Sequence, residues 1–208
     1  MPRLLVFAVL FIAATCADAQ SPAESLFRAI DAGNFEEVER LVKTKIHLSA
    51  KNEDGESPLY VAGEKGYAPL VKLLLDNKAD VDARTPNGET ALHAAAMQDD
   101  PEPARLLVEA GAERNAVNKD GETPLFWAAM TGTLQVIKLL VDRGVPMNTP
   151  DAKGNTPLHA AAATGHEEVV RFLLSKKVSV GDHNKEGQTA LDLARSRNHA
   201  GVVRLLQR

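Results

Sequence analysis

A fixed 33-residue spacing is the feature of this 208-residue sequence that most restricts how it can fold. Five glycines recur at that interval, and each is followed by one residue of any type, then Ser or Thr, then Pro or Ala, then Leu. The five are Gly55, Gly88, Gly121, Gly154 and Gly187. A unit of this length cannot bury an apolar face by itself, so the spacing predicts a linear stack of repeated units.

The residue types within each unit predict a hairpin turn followed by a helix. In the first three units Asp or Asn precedes the glycine, a pairing that favours a tight turn because glycine adopts positive φ easily. Ser or Thr suits a helix N-cap, and proline at the first helical position loses no intrahelical hydrogen bond. A helix is therefore predicted to begin at each Pro or Ala. A turn is predicted to follow at Gly66, Asp99, Gly132, Gly165 and Asn198.

Apolar triplets predict a second helix in four of the units. The triplets are Leu73–Leu75, Leu106–Val108, Leu139–Val141 and Phe172–Leu174. Gly111 and Gly144 follow two of them and are predicted to end the helices in the left-handed conformation. Lys45, Lys78 and Lys177 stand at the equivalent positions, where that conformation costs each lysine roughly 1 kcal/mol.

Segments such as Asp120-Gly121-Glu122-Thr123-Pro124-Leu125-Phe126 closely resemble ankyrin repeats, in both their period and their Thr-Pro-Leu-His-x-Ala signature. The resemblance covers residues 21–208 and implies an all-α solenoid of stacked helix pairs with short β-hairpin turns. It predicts an N-terminal capping helix pair over 20–52 and a C-terminal capping repeat over 185–208. The ankyrin repeats between them are predicted at 53–85, 86–118, 119–151 and 152–184.

The first 19 residues have the pattern of a cleavable signal peptide. Arg3 is followed by an uninterrupted apolar run from Leu4 to Ala14, and Ala17-Asp18-Ala19 forms a small-x-small cleavage site. Two alternatives stay open. An uncleaved anchor is disfavoured because a spanning helix needs about 20 apolar residues, and a lipoprotein signal at Cys16 is disfavoured because the preceding residues match that motif poorly.

These observations predict an exported protein with no membrane span after cleavage. The chain contains no Asn-x-Ser/Thr acceptor, which favours a bacterial periplasm over a eukaryotic secretory route, with secretion as the alternative. The single cysteine lies inside the predicted signal, so the mature chain would depend on packing without disulfides.

The net charge and the absence of known catalytic motifs disfavour several classes of function. A net charge of −4 argues against a nucleic-acid surface. The sequence shows no glycine-rich phosphate loop, nucleophile elbow or paired-carboxylate motif, so we predict no enzyme activity and no cofactor. His93 and His159 occupy the signature position, where the ankyrin resemblance implies a hydrogen-bond network between turns. His166 and His199 occupy equivalent positions in adjacent units, but no further ligand completes a metal site.

Function is expected where the repeated units differ. Two positions after the signature Leu the residues are Val61, Ala94, Trp127, Ala160 and Leu193, which makes the only tryptophan a candidate for an exposed variable site. Met97, Trp127 and Met130 are predicted to form an apolar patch for a partner, with Lys119 in its polar rim. The competing interpretation is that Trp127 packs locally against a neighbouring repeat.

The resemblance implies that the chain binds another protein through the concave face formed by hairpin tips and first helices, and we expect it to do so as a monomer. An alternative function is a periplasmic accessory or immunity protein that stabilises or inhibits an enzyme. Similar exported proteins have been linked to peroxide defence and to the neutralisation of secreted toxins.

Overall fold

Twelve α-helices, arranged as six consecutive pairs, make up the regular structure of the described residues. A computed structural model describes residues 21–44 and 47–207. The predicted signal peptide, Cys16 and Lys45 lie outside these ranges. The helices are α1 (Pro22–Asp31), α2 (Phe35–Lys43), α3 (Pro58–Glu64), α4 (Ala68–Asp76), α5 (Ala91–Ala96), α6 (Glu102–Glu109), α7 (Pro124–Thr131), α8 (Leu134–Asp142), α9 (Pro157–Thr164), α10 (Glu167–Ser175), α11 (Ala190–Ser196) and α12 (Ala200–Leu206). The predicted all-α solenoid is confirmed.

The first helix of each repeat begins where the capping pattern predicts. Ser57, Thr90, Thr123, Thr156 and Thr189 are the N-caps, and a Pro or Ala opens each helix behind them. The Ser57 hydroxyl, for example, accepts the backbone N–H of Tyr60 at 3.1 Å, which satisfies a donor that has no partner within the helix.

The core is a continuous row of aliphatic side chains that runs through the stack. The signature leucines Leu59, Leu92, Leu125 and Leu158 are at most 2% exposed. In each apolar triplet of the second helices the middle residue is fully buried, as Leu74 and Leu140 show, while the first residue is only partly buried. Each second helix therefore presents a narrow buried stripe to the stack and leaves its outer side in water.

The predicted β-hairpins contain no β-strand within the part of the chain that the structure describes. Each is a five-residue turn held by two backbone hydrogen bonds, such as Asn118 N–H to the Glu122 carbonyl and Gly121 N–H to the Asn118 carbonyl, both at 3.0 Å. The last three turns are each joined to the preceding turn by a further bond, such as the one in which Lys119 N–H donates to the Asn87 carbonyl at 2.8 Å. Two bonds within each turn and at most one between neighbouring turns are too few to make a strand ladder.

The turn between the two helices differs in one repeat. Gly66, Gly132, Gly165 and Asn198 all have φ between 61° and 87°, but Asp99 is not among the residues with positive φ. There α5 ends early, at Ala96, and Pro101 becomes the N-cap of α6. No described helix has both the length and the hydropathy needed to cross a bilayer.

Lysines occupy left-handed backbone positions that other repeats give to glycine. Lys78 has φ of 67° and Lys177 has φ of 60°, which confirms the prediction for these two residues, while Gly111 has φ of 93° at the same place. The Cβ of an L-residue is crowded in this conformation, and glycine avoids that cost.

Lys78→Gly should raise the free energy of unfolding by about 0.5–1 kcal/mol, because it removes the strain of the left-handed lysine. Gly111→Lys is the matched reverse change and should lower it by about 1 kcal/mol. An added Cβ at Gly111 meets no atom within 4 Å, so only backbone conformation is altered. Urea unfolding followed by circular dichroism measures both, and a destabilised Lys78→Gly variant would contradict the account.

Candidate functional site

The hairpin tips are rigid because a side chain closes each turn. Asn52, Thr85, Asn118, Asp151 and Asn184 stand three residues before the repeated glycines. The side-chain oxygen of each accepts the backbone N–H four residues later at 2.7–3.2 Å, in addition to the backbone bond that spans the same turn. The sequence reasoning did not identify these residues. Their signal is a column of Asn, Asp and Thr, the side chains that most readily bond to nearby backbone.

The tips and the first helices together form one side of the solenoid, which we call the tip face. Histidines at the signature position join the first helices to the following tips by hydrogen bonds. His93 Nδ1 accepts the Thr90 N–H at 3.1 Å, and its Nε2 therefore carries the proton and donates to the Glu122 carbonyl of the next tip at 3.1 Å. His159 makes the same pair of contacts with Thr156 and with the Gln188 carbonyl. The predicted role of these histidines between turns is confirmed.

Trp127 lies within the same network and is less exposed than its variable position suggested. Its ring meets the His93 ring edge-on, with centroids 5.4 Å apart and planes at 74°. Its Nε1–H donates to Glu122 Oε2 at 2.7 Å. The side chain is half-buried, so Trp127 packs locally on the preceding repeat and shows only part of its surface to solvent. The position expected to be exposed is thus only partly accessible, because the His93 ring and the Glu122 carboxylate contact the indole.

The other predicted site residues differ in location and exposure. Met97 is 40% exposed at the C-terminal end of α5, and Lys119 is exposed on a hairpin tip. Met130 is half-buried near the end of α7, and its carbonyl accepts a bond from His166 Nε2 at 3.0 Å. Met97 and Met130 occupy equivalent positions in adjacent repeats, as Ala163 does in the next one. These three residues mark a row along the tip face.

The row runs through a stretch without charge. Its side chains and those that follow them are Met97-Gln98, Met130-Thr131 and Ala163-Thr164. The equivalent residues in the flanking units are Glu64-Lys65 on one side and Ser196-Arg197 on the other. We call the six central residues the uncharged strip. It crosses three consecutive repeats and is bounded by charge at both ends.

A groove of about 460 Å³ opens on the tip face beside the end of this strip. Its apolar lining consists of Phe126, Met130, Ala160, Ala163 and Leu193. Arg197 also lines the groove and donates to the Ala163 carbonyl at 3.2 Å, and charged residues of the tips form the lip. The tip residues that carry charge there are Glu122, Asp151, Lys153 and Glu186. Of the four predicted site residues only Met130 lines the groove, so this groove lies nearer the C-terminal end than the predicted patch.

Ala160 lines the groove with a small side chain. It stands at the position that Trp127 fills in the preceding repeat and Leu193 fills in the next one. The groove was missed because the sequence shows the sizes of residues but not which space stays open.

The histidines near this face are engaged in hydrogen bonds within the fold. His199 Nε2 donates to the Ala163 carbonyl at 3.0 Å, as His166 does to Met130. Over residues 21–44 and 47–207 no group of three His, Cys, Asp or Glu side chains is placed to hold a metal ion.

Burial lowers the pKa of His93 to about 4, with a smaller lowering from Arg84, against the opposing effect of its bond to the Glu122 carbonyl. The ring is fully buried, and a proton on Nδ1 would face the Thr90 N–H that this nitrogen now accepts. The folded protein therefore holds His93 in its neutral form.

Stability should fall as the pH drops from about 6.5 toward 4, because the unfolded chain protonates His93 first. The loss at pH 5 relative to pH 7.5 should be about 2 kcal/mol from this residue. His93→Gln, which keeps an amide donor but does not titrate, should remove that part of the pH dependence in urea unfolding. His183→Gln, at an exposed tip, is the control. Equal pH dependence in His93→Gln and the unmodified protein would refute the assignment.

Comparison with known proteins agrees with the architecture. The family described as "Ankyrin repeats (3 copies)" matches overlapping stretches of the chain at residues 8–85, 26–118, 64–151, 93–184 and 143–208. No characterised protein is similar enough to the chain to count as a relative. Ankyrin repeats generally act as protein–protein interaction modules and are typically not catalytic. With most of its length matched, this chain belongs to the ankyrin-repeat family.

Proposed function

We propose that this chain is an exported, monomeric, non-catalytic protein that binds a partner protein on its tip face, with the groove as the docking site. The tip face corresponds to the surface that the ankyrin resemblance implies is concave. The observation that carries the proposal is the groove itself, since residues of three successive units line it and it meets the uncharged strip.

The strip and the groove have the composition of an interface centre. Met97 is exposed, and Met130, Ala163 and Leu193 are each partly accessible. Contact with a partner along the uncharged strip would remove apolar surface from water without stripping water from a charge, whereas Arg197 in the groove would have to stay solvated or be paired by the partner. Apolar side chains of the partner would therefore contribute most to the binding free energy at this position.

Charged residues on the lip of the groove would orient a bound partner. Lys153 and Glu186 are exposed on neighbouring tips and carry opposite charges. Charges on the rim of an interface affect the rate of association and the choice of partner more than they affect affinity. The tips that carry them are closed by side-chain bonds, so little conformational freedom would be lost on binding.

Ala163→Arg should abolish partner capture while leaving the fold intact. It places a charge in the wall of the groove at a partly exposed position. The unmodified protein and the variant are each immobilised and used to capture the partner from a periplasmic extract of the source cells. We expect at least a tenfold loss, the size seen when the centre of an interface is disrupted.

Gln135→Arg is the matched control, because it adds the same charge at an exposed position of the second helix α8. Both variants should give the circular-dichroism spectrum of the unmodified chain. Equal capture by the two would remove the groove from the proposal. A captured toxin or peroxide-degrading enzyme would make the protein an immunity or accessory factor.

Export is tested separately from binding. The chain made from its own gene should be recovered outside the cytoplasm and begin at Gln20, because the apolar run and the Ala17-Asp18-Ala19 site direct cleavage there. Mass spectrometry of fractionated cells measures this. A lipid-modified chain that begins at Cys16 would replace ordinary cleavage with lipoprotein processing, and full-length protein in the cytoplasm would refute export.

A further inference from the structure

Three carboxylates form a row along the tip face, which we call the carboxylate row. Glu56, Glu89 and Glu122 are the last residues of three consecutive tips and stand 33 residues apart. The Oε2 atom of each accepts a hydrogen bond at 2.8–3.0 Å from the side chain that closes its own turn, namely Asn52, Thr85 and Asn118. The three carboxylates are therefore each fixed by the same kind of contact.

The row carries negative charge that the fold does not neutralise. Among the described residues no ion pair includes any of the three carboxylates. The cations of the first two tips and of the adjoining helix contact other groups, in the pairs Lys51 with the Arg84 carbonyl, Arg84 with Glu113, and Lys65 with Asp31. The third tip carries the exposed Lys119, so the row is most negative at Glu56 and Glu89.

A buried tyrosine lies beside these two carboxylates. Tyr60 is 6% exposed and stands at the signature position that His93 occupies in the next repeat. Its hydroxyl makes no hydrogen bond with a described residue and is not enclosed, so the oxygen reaches solvent. Burial and the charges of Glu89, Glu56 and Glu64 raise the pKa of this hydroxyl. A neutral hydroxyl therefore lies among carboxylates, where its oxygen can accept an N–H from a cation that they attract.

The arrangement favours several separate cations over one metal ion. In the ranges 21–44 and 47–207 no three acidic, histidine or cysteine side chains lie close enough together to share an ion. The row instead offers one carboxylate on each tip, so a polypeptide lying across the tips could place a cationic side chain at each. Arginine suits this place better than lysine, because a planar guanidinium donates to a carboxylate oxygen and to the tyrosine oxygen at once.

We infer that the partner bound on the tip face carries an arginine-rich segment that lies along the carboxylate row. Glu122 also lines the groove, so the segment leads from the row to the apolar lining. This inference rests on the proposed function, because it names the chemistry of that partner. Carboxylates that are fixed before binding steer an oppositely charged chain toward them and lose little conformational freedom when it binds.

Binding of a fluorescein-labelled, amidated hexa-arginine peptide to the full chain tests the inference. Fluorescence anisotropy at low salt measures the affinity. The variant Glu56→Gln/Glu89→Gln/Glu122→Gln should bind about thirtyfold more weakly, from roughly threefold for each ion pair. Its amides keep an oxygen for the turn-closing side chains, as Gln188 Oε1 does for Asn184 Nδ2 at 3.3 Å. The circular-dichroism spectrum should therefore not change.

The matched control removes three charges from exposed positions of the second helices, in the variant Glu36→Gln/Asp142→Asn/Glu168→Gln. Its net charge changes by the same amount, so it should weaken peptide binding by no more than about threefold. Equal losses in the two variants, or no binding to the unmodified chain, would overturn the inference. Because the probe is a synthetic peptide, either result leaves the groove to be judged by partner capture with Ala163→Arg.

Tyr60→Phe tests the preference for arginine. A hexa-lysine peptide should bind the unmodified chain about threefold more weakly than hexa-arginine, because an ammonium is a more strongly hydrated point charge without the planar fork of donors. The substitution keeps the buried ring and removes the hydroxyl oxygen, so it should remove most of that difference. An unchanged difference in the variant, or equal binding of the two peptides to the unmodified chain, would overturn the assignment of arginine.

Discussion

Burial of each helix pair against its neighbours is the interaction on which the rest of this structure depends. A signature leucine such as Leu125 is fully buried, although its own helix is only eight residues long. Isolated helices of this length are not stable in water, so their stability comes from packing between repeats. The alanines that follow, such as Ala128 and Ala129, are also fully buried, and their small side chains allow close approach of the first helices. This close approach requires the 33-residue spacing, because the spacing places equivalent residues of successive repeats side by side.

Hydrogen bonds add direction to this packing, and they are distributed unevenly along the chain. His93 shows how one residue links two levels of structure, since it caps its own helix at Thr90 and holds the next tip at Glu122. The Glu122 carboxylate in turn accepts the Trp127 indole N–H. The only tryptophan of the chain therefore contributes to the coupling between repeats as well as to the surface.

The candidate binding surface results from variation within a fixed frame. At one repeated position Ala160 and Leu193 line the groove, whereas Trp127 of the preceding repeat does not. The frame itself, made of capped helices and closed tips, is nearly the same in each repeat. A repeat protein can thus change its partner by changing a few side chains while its packing stays constant.

The repeat, the helix starts and the left-handed positions could be predicted from the order of residues alone, because these features depend on local chemistry. Thr123 caps a helix, Pro124 opens it and glycine relieves positive φ wherever the rest of the chain lies. Lys78 could be assigned to the left-handed conformation simply from its alignment with Gly111. Such features need no knowledge of distant residues.

Which variable residues are accessible depends on how the repeats pack against one another. Trp127 looked exposed in the sequence but is held by His93 and Glu122, and the groove lies beside Ala160, a residue with no distinctive chemistry. The exposure of Trp127 depends partly on His93, which lies in the preceding repeat and whose distance depends on how the repeats stack. The sequence identifies each residue, but the space left between residues depends on how the repeats pack.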